Sequence, residues 1–491
     1  MAKEKKENLI QRPPIVVVMG HIDHGKTKLL DFIRKTKIAE KEAGGITQSI
    51  GAYEIIHPSA SSGQVQKITF IDTPGHEAFS KMRGRGARVA DLAILVVAAD
   101  EGVKAQTLEA LEHIKSAGIP FVVAINKIDK PEADVTRVKN ELSQNGIYLE
   151  GMGGNISYQE ISAKTGQGIK ELLDLILLAA DLEELKADPN ALCQGVIIES
   201  KIDPRRGISA VLIIENGTLR IGDEIATSSA RGKVKMMEDF LGQPVKQISF
   251  SSPVLVVGFE NLPQIGEQFS AGKMISVSQS ENILSPNKVG PTEALSLKKT
   301  IIKLILKADV SGSLEALIEI VKSLENEDIG IEIILAEVGD ILENDVKLAL
   351  SSSALILGFK VKIRKGAESL VRIHEIKIIN SEIIYELFQN LKQIIKEIPK
   401  EGEVKGILEI LAIFGKKNSK QIVGGKMLEG KFNKGAKLEI WRQSLKIGEG
   451  KIINLQVKKL DAIEVQAGEE CGILLDPDVT IKVGDQLKAV L

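Results

Sequence analysis

The sequence predicts a multidomain protein that joins α/β domains to β-barrels, and three observations carry that expectation. Its 491 residues exceed what one hydrophobic core organises. Residues 15–180 alternate apolar, strand-like runs with helix-like segments, the texture of a doubly wound sheet. Residues 194–271 and 404–491 instead carry short strands broken by Gly turns, the texture of barrels.

Taken in order, IVVVMG (15–20), ITFIDT (68–73), LAILVVAA (92–99) and FVVAINK (121–127) are apolar enough for a parallel sheet covered on both faces. Helices at Lys26–Lys35, Gln106–Ala117 and Ile169–Ala180 are predicted to cover it. This domain is expected over 13–188, after a flexible amino terminus at 1–12 and up to the Pro and Asn punctuation of KADPN. A β-barrel follows over 189–275, then a polar linker over 276–298. Residues 299–378 return to β-α-β order, with a helix predicted from about Ser313, and form an α/β/α domain. The segment SEIIYELFQNLKQIIKEI is amphipathic at helical spacing and makes a long connecting helix over 379–399. A second, terminal β-barrel takes up 400–491. The barrels resemble each other: GTLRIGDEI (217–225) parallels GKFNKGAKLEI (430–440), and QIGEQF (264–269) parallels KVGDQL (482–487).

A net charge of −2 excludes a chain basic throughout, although Lys416–Lys417 and Lys458–Lys459 are local basic patches. Aromatic residues are only 3% of the chain, which excludes broad base-stacking platforms. Cys193 and Cys471 stand far apart without metal-ligand spacing, so a disulfide scaffold is not expected and a reducing cytosol is. The first fourteen residues lack an apolar h-region, and no run approaches the roughly 20 apolar residues of a membrane span. A cytoplasmic monomer with no membrane partner is expected.

Four motifs carry chemistry. Gly20-His21-Ile22-Asp23-His24-Gly25-Lys26-Thr27 fits the phosphate-binding pattern G-x-x-x-x-G-K-[ST], after a strand and opening a helix. Its glycines let backbone N–H groups and the helix N-terminus face phosphates. Lys26 would pair with the β- and γ-phosphates and Thr27 would ligate Mg²⁺. Asp72-Thr73-Pro74-Gly75 stands at a strand end, where the carboxylate holds Mg²⁺ and Gly75 lets the backbone swing toward a γ-phosphate. Asn126-Lys127-Ile128-Asp129 chooses the base. Asp129 accepts from guanine N1–H and N2–H₂, which adenine lacks. Ser162-Ala163-Lys164 follows, with the Ala163 N–H expected to meet guanine O6.

Between the first two motifs, Glu42-Ala43-Gly44-Gly45-Ile46-Thr47 is expected to sense the γ-phosphate, with Thr47 as a second hydroxyl on Mg²⁺. His76, directly after Gly75, is placed to orient the attacking water. Three of the six histidines (His21, His24, His76) fall in this region, and metal ligation is a poor reading of them because Mg²⁺ prefers oxygen ligands. The motifs contain no arginine finger. Intrinsic GTP hydrolysis to GDP is therefore expected on the order of 10⁻⁴ to 10⁻² s⁻¹, with an external activator needed.

GHIDHGKT, EAGGIT, DTPGH, NKID and SAK in this order resemble the translational GTPases. The segments 187–223, KADVSGSLEAL (307–317) and GEECGI (468–473) are similar to the bacterial initiation factor 2 family. That resemblance implies a factor that binds formylmethionyl initiator tRNA in its terminal barrel and contacts both ribosomal subunits. It also implies that the factor promotes subunit joining and hydrolyses GTP under ribosomal stimulation. His76 matches the family's water-positioning histidine. Glu470 and Cys471 match its aminoacyl-pocket turn, where Cys471 reads equally as a small buried strand residue. A second cysteine of that pocket falls at Gly425, and an Arg–aromatic pair falls at Lys458–Lys459. On this resemblance, a form without the long amino-terminal extension of many relatives is expected. Another translational GTPase, and a GTP-binding protein without useful catalysis, stay as alternatives.

Overall fold

The strand Ile15–Gly20 (β1) is buried along its whole length, as an all-apolar run must be when helices cover both faces. In the computed structural model it lies inside a six-stranded sheet with Gly51–Pro58 (β2), Val65–Asp72 (β3), Leu92–Ala98 (β4), Phe121–Asn126 (β5) and Tyr158–Glu160 (β6). The order is β2-β3-β1-β4-β5-β6. Residues 9–35, 51–58, 65–272, 300–326, 329–374, 376–397, 406–417, 420–442, 445–457 and 460–490 are described. The sheet is parallel except at one edge, where β2 runs antiparallel to β3. That edge strand corrects the all-parallel expectation; its half-buried, mixed sequence lacks the apolar run of the others.

Among the described residues, five helices accompany this sheet: Lys26–Arg34 (α1), Ser80–Val89 (α2), Ala105–Ala117 (α3), Val135–Gln144 (α4) and Ile169–Leu182 (α5). Sequence periodicity missed α2 and α4. Helix α2 contains two glycines, each costing about 1 kcal/mol of helix propensity, and α4 buries only Val138 and Leu142, a stripe too narrow to register. The Asp134 carboxylate caps α4 by accepting the Arg137 N–H at 2.8 Å.

The amino terminus needs a correction too. Ile10–Gln11 pair with Lys186–Ala187, and the Arg12 guanidinium donates to both Asp91 oxygens at 2.7 and 2.5 Å. The expected flexible segment at 1–12 therefore does not include Ile10–Arg12.

Six antiparallel strands form a closed barrel: Cys193–Asp203 (β7), Gly207–Asn216 (β8), Glu224–Ala226 (β9), Arg231–Glu238 (β10), Pro253–Phe259 (β11) and Gln268–Gly272 (β12). Their order is β8-β11-β10-β9-β12-β7. A third layer follows, with Thr300–Ala308 (β13), Ser311–Lys322 (α6), Ile329–Val338 (β14), Glu343–Ser352 (α7), Leu355–Phe359 (β15), Lys365–His374 (α8) and Ile378–Ser381 (β16). The sheet order is β14-β13-β15-β16, with β13, β15 and β16 parallel. Because β16 occupies 378–381, the connecting helix expected over 379–399 is shorter: α9 spans Ile384–Glu397. The expected linker at 276–298 lies outside the described residues.

The chain divides into two compact units, and the second holds the terminal barrel. Its strands are Gly406–Lys417 (β17), Lys420–Asn433 (β18), Lys437–Arg442 (β19), Leu445–Val457 (β20), Glu470–Pro477 (β21) and Gln486–Val490 (β22). They pair in the order β18-β21-β20-β19-β22-β17, and β17 pairs back with β18. This ring repeats the first barrel strand for strand. The turn glycines repeat as well: Gly217 and Gly222 (φ 77° and 91°) correspond to Gly430 and Gly435 (φ 67° and 89°), and Gly266 (φ 84°) to Gly484 (φ 88°). Side chains other than glycine are strained at such φ values, so the turn chemistry fixes the shared pattern.

Candidate nucleotide site

The loop after β1 is shaped by two glycines. A Cβ at Gly20 (φ 143°) would stand 2.3 Å from the Val96 carbonyl oxygen, and one at Gly25 (φ 92°) would stand 2.3 Å from Asn126 Nδ2. Gly25 caps α1, whose first residues are Lys26 and Thr27. The Lys26 ammonium folds back onto its own loop, donating to the carbonyls of Gly20 (2.8 Å) and His21 (2.7 Å). Burial holds its pKa down to about 8, against support from Asp72 and with further opposition from Arg83. The Ile22 N–H is held by Gln106 Oε1 from α3 at 3.0 Å, a support with no sequence signal of its own.

Asp72 is buried at the end of β3. Thr73 is fully buried, and its hydroxyl donates to the Val18 carbonyl at 2.8 Å, so its side chain joins strands rather than facing the cavity. A Cβ on Gly75 would stand 2.6 Å from the Lys26 ammonium. His76 Nδ1 accepts the Ala78 N–H at 3.1 Å, and its ring lies 6.4 Å from that of Tyr385 on α9. The Arg83 guanidinium donates to the carbonyls of Pro74 (3.0 Å) and His76 (2.6 Å).

Asn126 joins three motifs, donating to the His24 carbonyl at 2.8 Å and accepting the Ala163 N–H at 2.9 Å. The Ala163 N–H expected to face guanine O6 is thus engaged by Asn126 here. Lys127, at φ 67°, pairs with Glu101 at 2.7 Å. The Asp129 carboxylate is exposed and accepts the Ser162 hydroxyl at 2.6 Å, a bond that holds its pKa below the usual range. Ser162, fully buried, therefore orients the Asp129 carboxylate.

These segments enclose one cavity of about 310 Å³, with Ile22, Asp23, Gly25, Lys26, Thr27, Gly75, His76, Asn126, Lys127, Asp129, Ala163 and Lys164 on its wall. Lys28 and Lys130, not singled out in the sequence, also line it. Gly20, His21, His24, Asp72, Thr73, Pro74, Ile128 and Ser162 do not line it. His24 is fully buried, its Nδ1 donates to the Val96 carbonyl at 3.3 Å, and burial lowers its pKa to about 4. Its ring belongs to the floor of the loop. The donor atoms of His21, His24 and Glu101 lie within 4.8 Å of one another, but Glu101 already pairs with Lys127. Thr27 and Asp72 offer the all-oxygen donor set that Mg²⁺ requires, so these residues fit that ion. Thr47 and the rest of 42–47 lie outside the described residues.

In the second unit a cavity of about 580 Å³ is lined by Phe414, Ile422, Gly424, Gly425, Glu470 and Cys471 among others. Cys471 stands directly across from Gly425 in the β18–β21 ladder. A Cβ at Gly425 would lie 2.3 Å from Leu408 Cδ2 and 2.4 Å from the Glu409 carbonyl oxygen, so glycine is what this backbone admits. Burial pushes the Cys471 thiol up to about 11, which makes it a neutral wall rather than a nucleophile. Lys458 and Lys459 lie outside the described residues.

Residues 11–181 match the family described as Elongation factor Tu GTP binding domain, 192–272 match Elongation factor G domain 2, and 288–392 match Translation-initiation factor 2. A curated relative, "Translation initiation factor IF-2" of Aquifex aeolicus, is 43% identical over 97% of this chain and 61% of its own length. The protein of the same name from Caldanaerobacter subterraneus subsp. tengcongensis is 42% identical over 99% of this chain and 70% of its own. Among solved structures, GDP-bound aIF5B from Aeropyrum pernix is 28% identical, covering 98% of this chain and 92% of its own with a TM-score of 0.46. The chain spans 61% of the Aquifex relative and 56% of one from Persephonella marina.

Proposed function

The chain belongs to the translation initiation factor IF-2 family, and on that premise we propose that it is a GTP-hydrolysing switch that serves translation initiation. One observation carries the proposal: four motifs far apart in sequence line a single cavity with a phosphate-binding lysine, Lys26, and a base-reading carboxylate, Asp129. Lys26, the N–H groups of 22–27 and the α1 N-terminus hold the phosphates. Asp129, set by Ser162, accepts the guanine N–H groups, and Lys127 lies along the base. Thr27, Asp72 and, from the sequence, Thr47 would hold Mg²⁺, which would supply charge neutralisation on the phosphates. His76 orients the attacking water from the cavity wall.

The terminal cavity is proposed to take the formylmethionyl end of initiator tRNA, with Phe414, Ile422 and Cys471 as its apolar wall and Glu470 at its rim. The ribosome, through both subunits, is the proposed activator, and a cytoplasmic monomer is the proposed form. The chain is expected to bind formylmethionyl-tRNA more tightly than methionyl-tRNA, and Phe414→Ala to weaken the formylated complex about tenfold by removing an aromatic wall. Equal affinity for both tRNAs would remove the initiator assignment. Subunit joining followed by light scattering should be faster with GTP than with GDP.

Lys26 gives a second test. Its depressed pKa means that the empty site loses the ammonium as pH rises through about 8. Phosphates favour the charged form, so binding GDP restores it. GDP binding is expected to take up a proton above pH 8 and to weaken with rising pH there, with neither effect at pH 6.5. Calorimetry in buffers of different ionisation enthalpy checks it.

A further inference from the structure

Helix α2 carries an arginine that the motif reading did not assign. Arg83 is 1% exposed, among the largest fully buried side chains among the described residues. Its Nη1 donates to the carbonyls of Pro74 at 3.0 Å and His76 at 2.6 Å, one on each side of Gly75. Its Nη2 donates to Glu109 Oε1 on α3 at 2.5 Å. One planar fork thus spans two backbone carbonyls and a carboxylate, a geometry that a lysine cannot reproduce.

The surrounding sequence lets the fork reach. A Cβ at Gly86 would stand 2.9 Å from Thr73 Cγ2 and 3.2 Å from Val17 Cγ2, so this glycine allows α2 to lie close against β1 and the turn. On the far side, α2 is tied by Lys81 to Glu319 at 2.7 Å, and by Arg85 to both Glu315 oxygens at 2.6 and 2.9 Å, both on α6. The buried Nε–H of Arg83 meets no acceptor among the described residues. An arginine retained for stability alone would be expected to satisfy that donor.

We infer that Arg83 is a positioning residue for hydrolysis: it transmits the placement of α2 to the Pro74–His76 turn and so sets where His76 stands at the cavity. It acts through backbone carbonyls rather than on the nucleotide. Movement of α2 relative to the sheet shifts the turn directly, because the fork and Gly86 leave no slack between them. The inference rests on the proposed role of His76.

The test measures ribosome-stimulated GTP turnover and GDP affinity for the full chain, its Arg83→Lys, Glu109→Gln and His76→Ala variants, and each of the first two combined with His76→Ala. Arg83→Lys is expected to lower stimulated kcat about 10²-fold, the scale of a slightly misplaced catalytic group, with GDP affinity and KM unchanged. In the His76→Ala background it is expected to lower kcat no further, since both act through one group. Glu109→Gln, which weakens the far side of the fork together with the contacts of Glu109 to Ser80 and His113, should show the same pattern at smaller size, and it decides the matter if Arg83→Lys does not fold. A wild-type rate in Arg83→Lys, or an equal loss with and without His76, overturns the inference. If His76→Ala alone turns over like wild type, the His76 reading fails and takes this one with it.

Discussion

Asp129→Asn is expected to lower GTP affinity by about 10²- to 10⁴-fold while leaving ATP binding as weak as before. The carboxylate is held ionised and aimed by the buried Ser162 hydroxyl at 2.6 Å. Each guanine N–H that it accepts is a hydrogen bond to a charged group, worth about 1.5–3 kcal/mol, and the base offers two. The amide of asparagine keeps one acceptor and adds a donor that faces another donor. Xanthosine triphosphate has a carbonyl at that position, so the variant should bind it better than the wild type does. Competition against a fluorescent GDP analogue measures all three ligands. An ATP affinity equal to that for GTP in the wild type would end the base-reading assignment.

His76→Ala is expected to lower ribosome-stimulated hydrolysis by about 10²- to 10⁴-fold, the range for losing a positioned proton-transfer or water-orienting group. Nucleotide affinity should stay the same, because the ring lies at the wall and the proposed phosphate contacts are Lys26 and the loop. Nδ1 accepts the Ala78 N–H, so in the neutral ring Nε2 carries the proton and can donate to a water. Single-turnover hydrolysis on ribosomes reads the chemical step apart from release. A variant as fast as wild type would remove the residue from the mechanism.

The sequence revealed the parts whose signal is local. The loop 20–27, DTPG and NKID announce themselves because phosphates, Mg²⁺ and guanine each demand particular atoms at particular spacing. The duplicated barrel was visible because its turns need positive φ, which leaves glycines at matching positions 217, 222, 430 and 435. What stayed hidden depends on long-range placement. Gln106, Glu101 and Arg83 are ordinary polar residues in sequence, and only the fold brings them behind the cavity. Thr73, Ser162 and His24 belong to the motifs by spacing, and burial of their side chains in the loops after the strands is set by the fold. Helix α2 escaped because its glycines serve close packing instead of helix stability.

The most direct test of the whole account is GTP hydrolysis by the full chain with and without ribosomes. Alone, the chain should turn over on the order of 10⁻⁴ to 10⁻² s⁻¹, and ribosomes should raise that by about 10³-fold or more. A rate that ribosomes leave unchanged would contradict it.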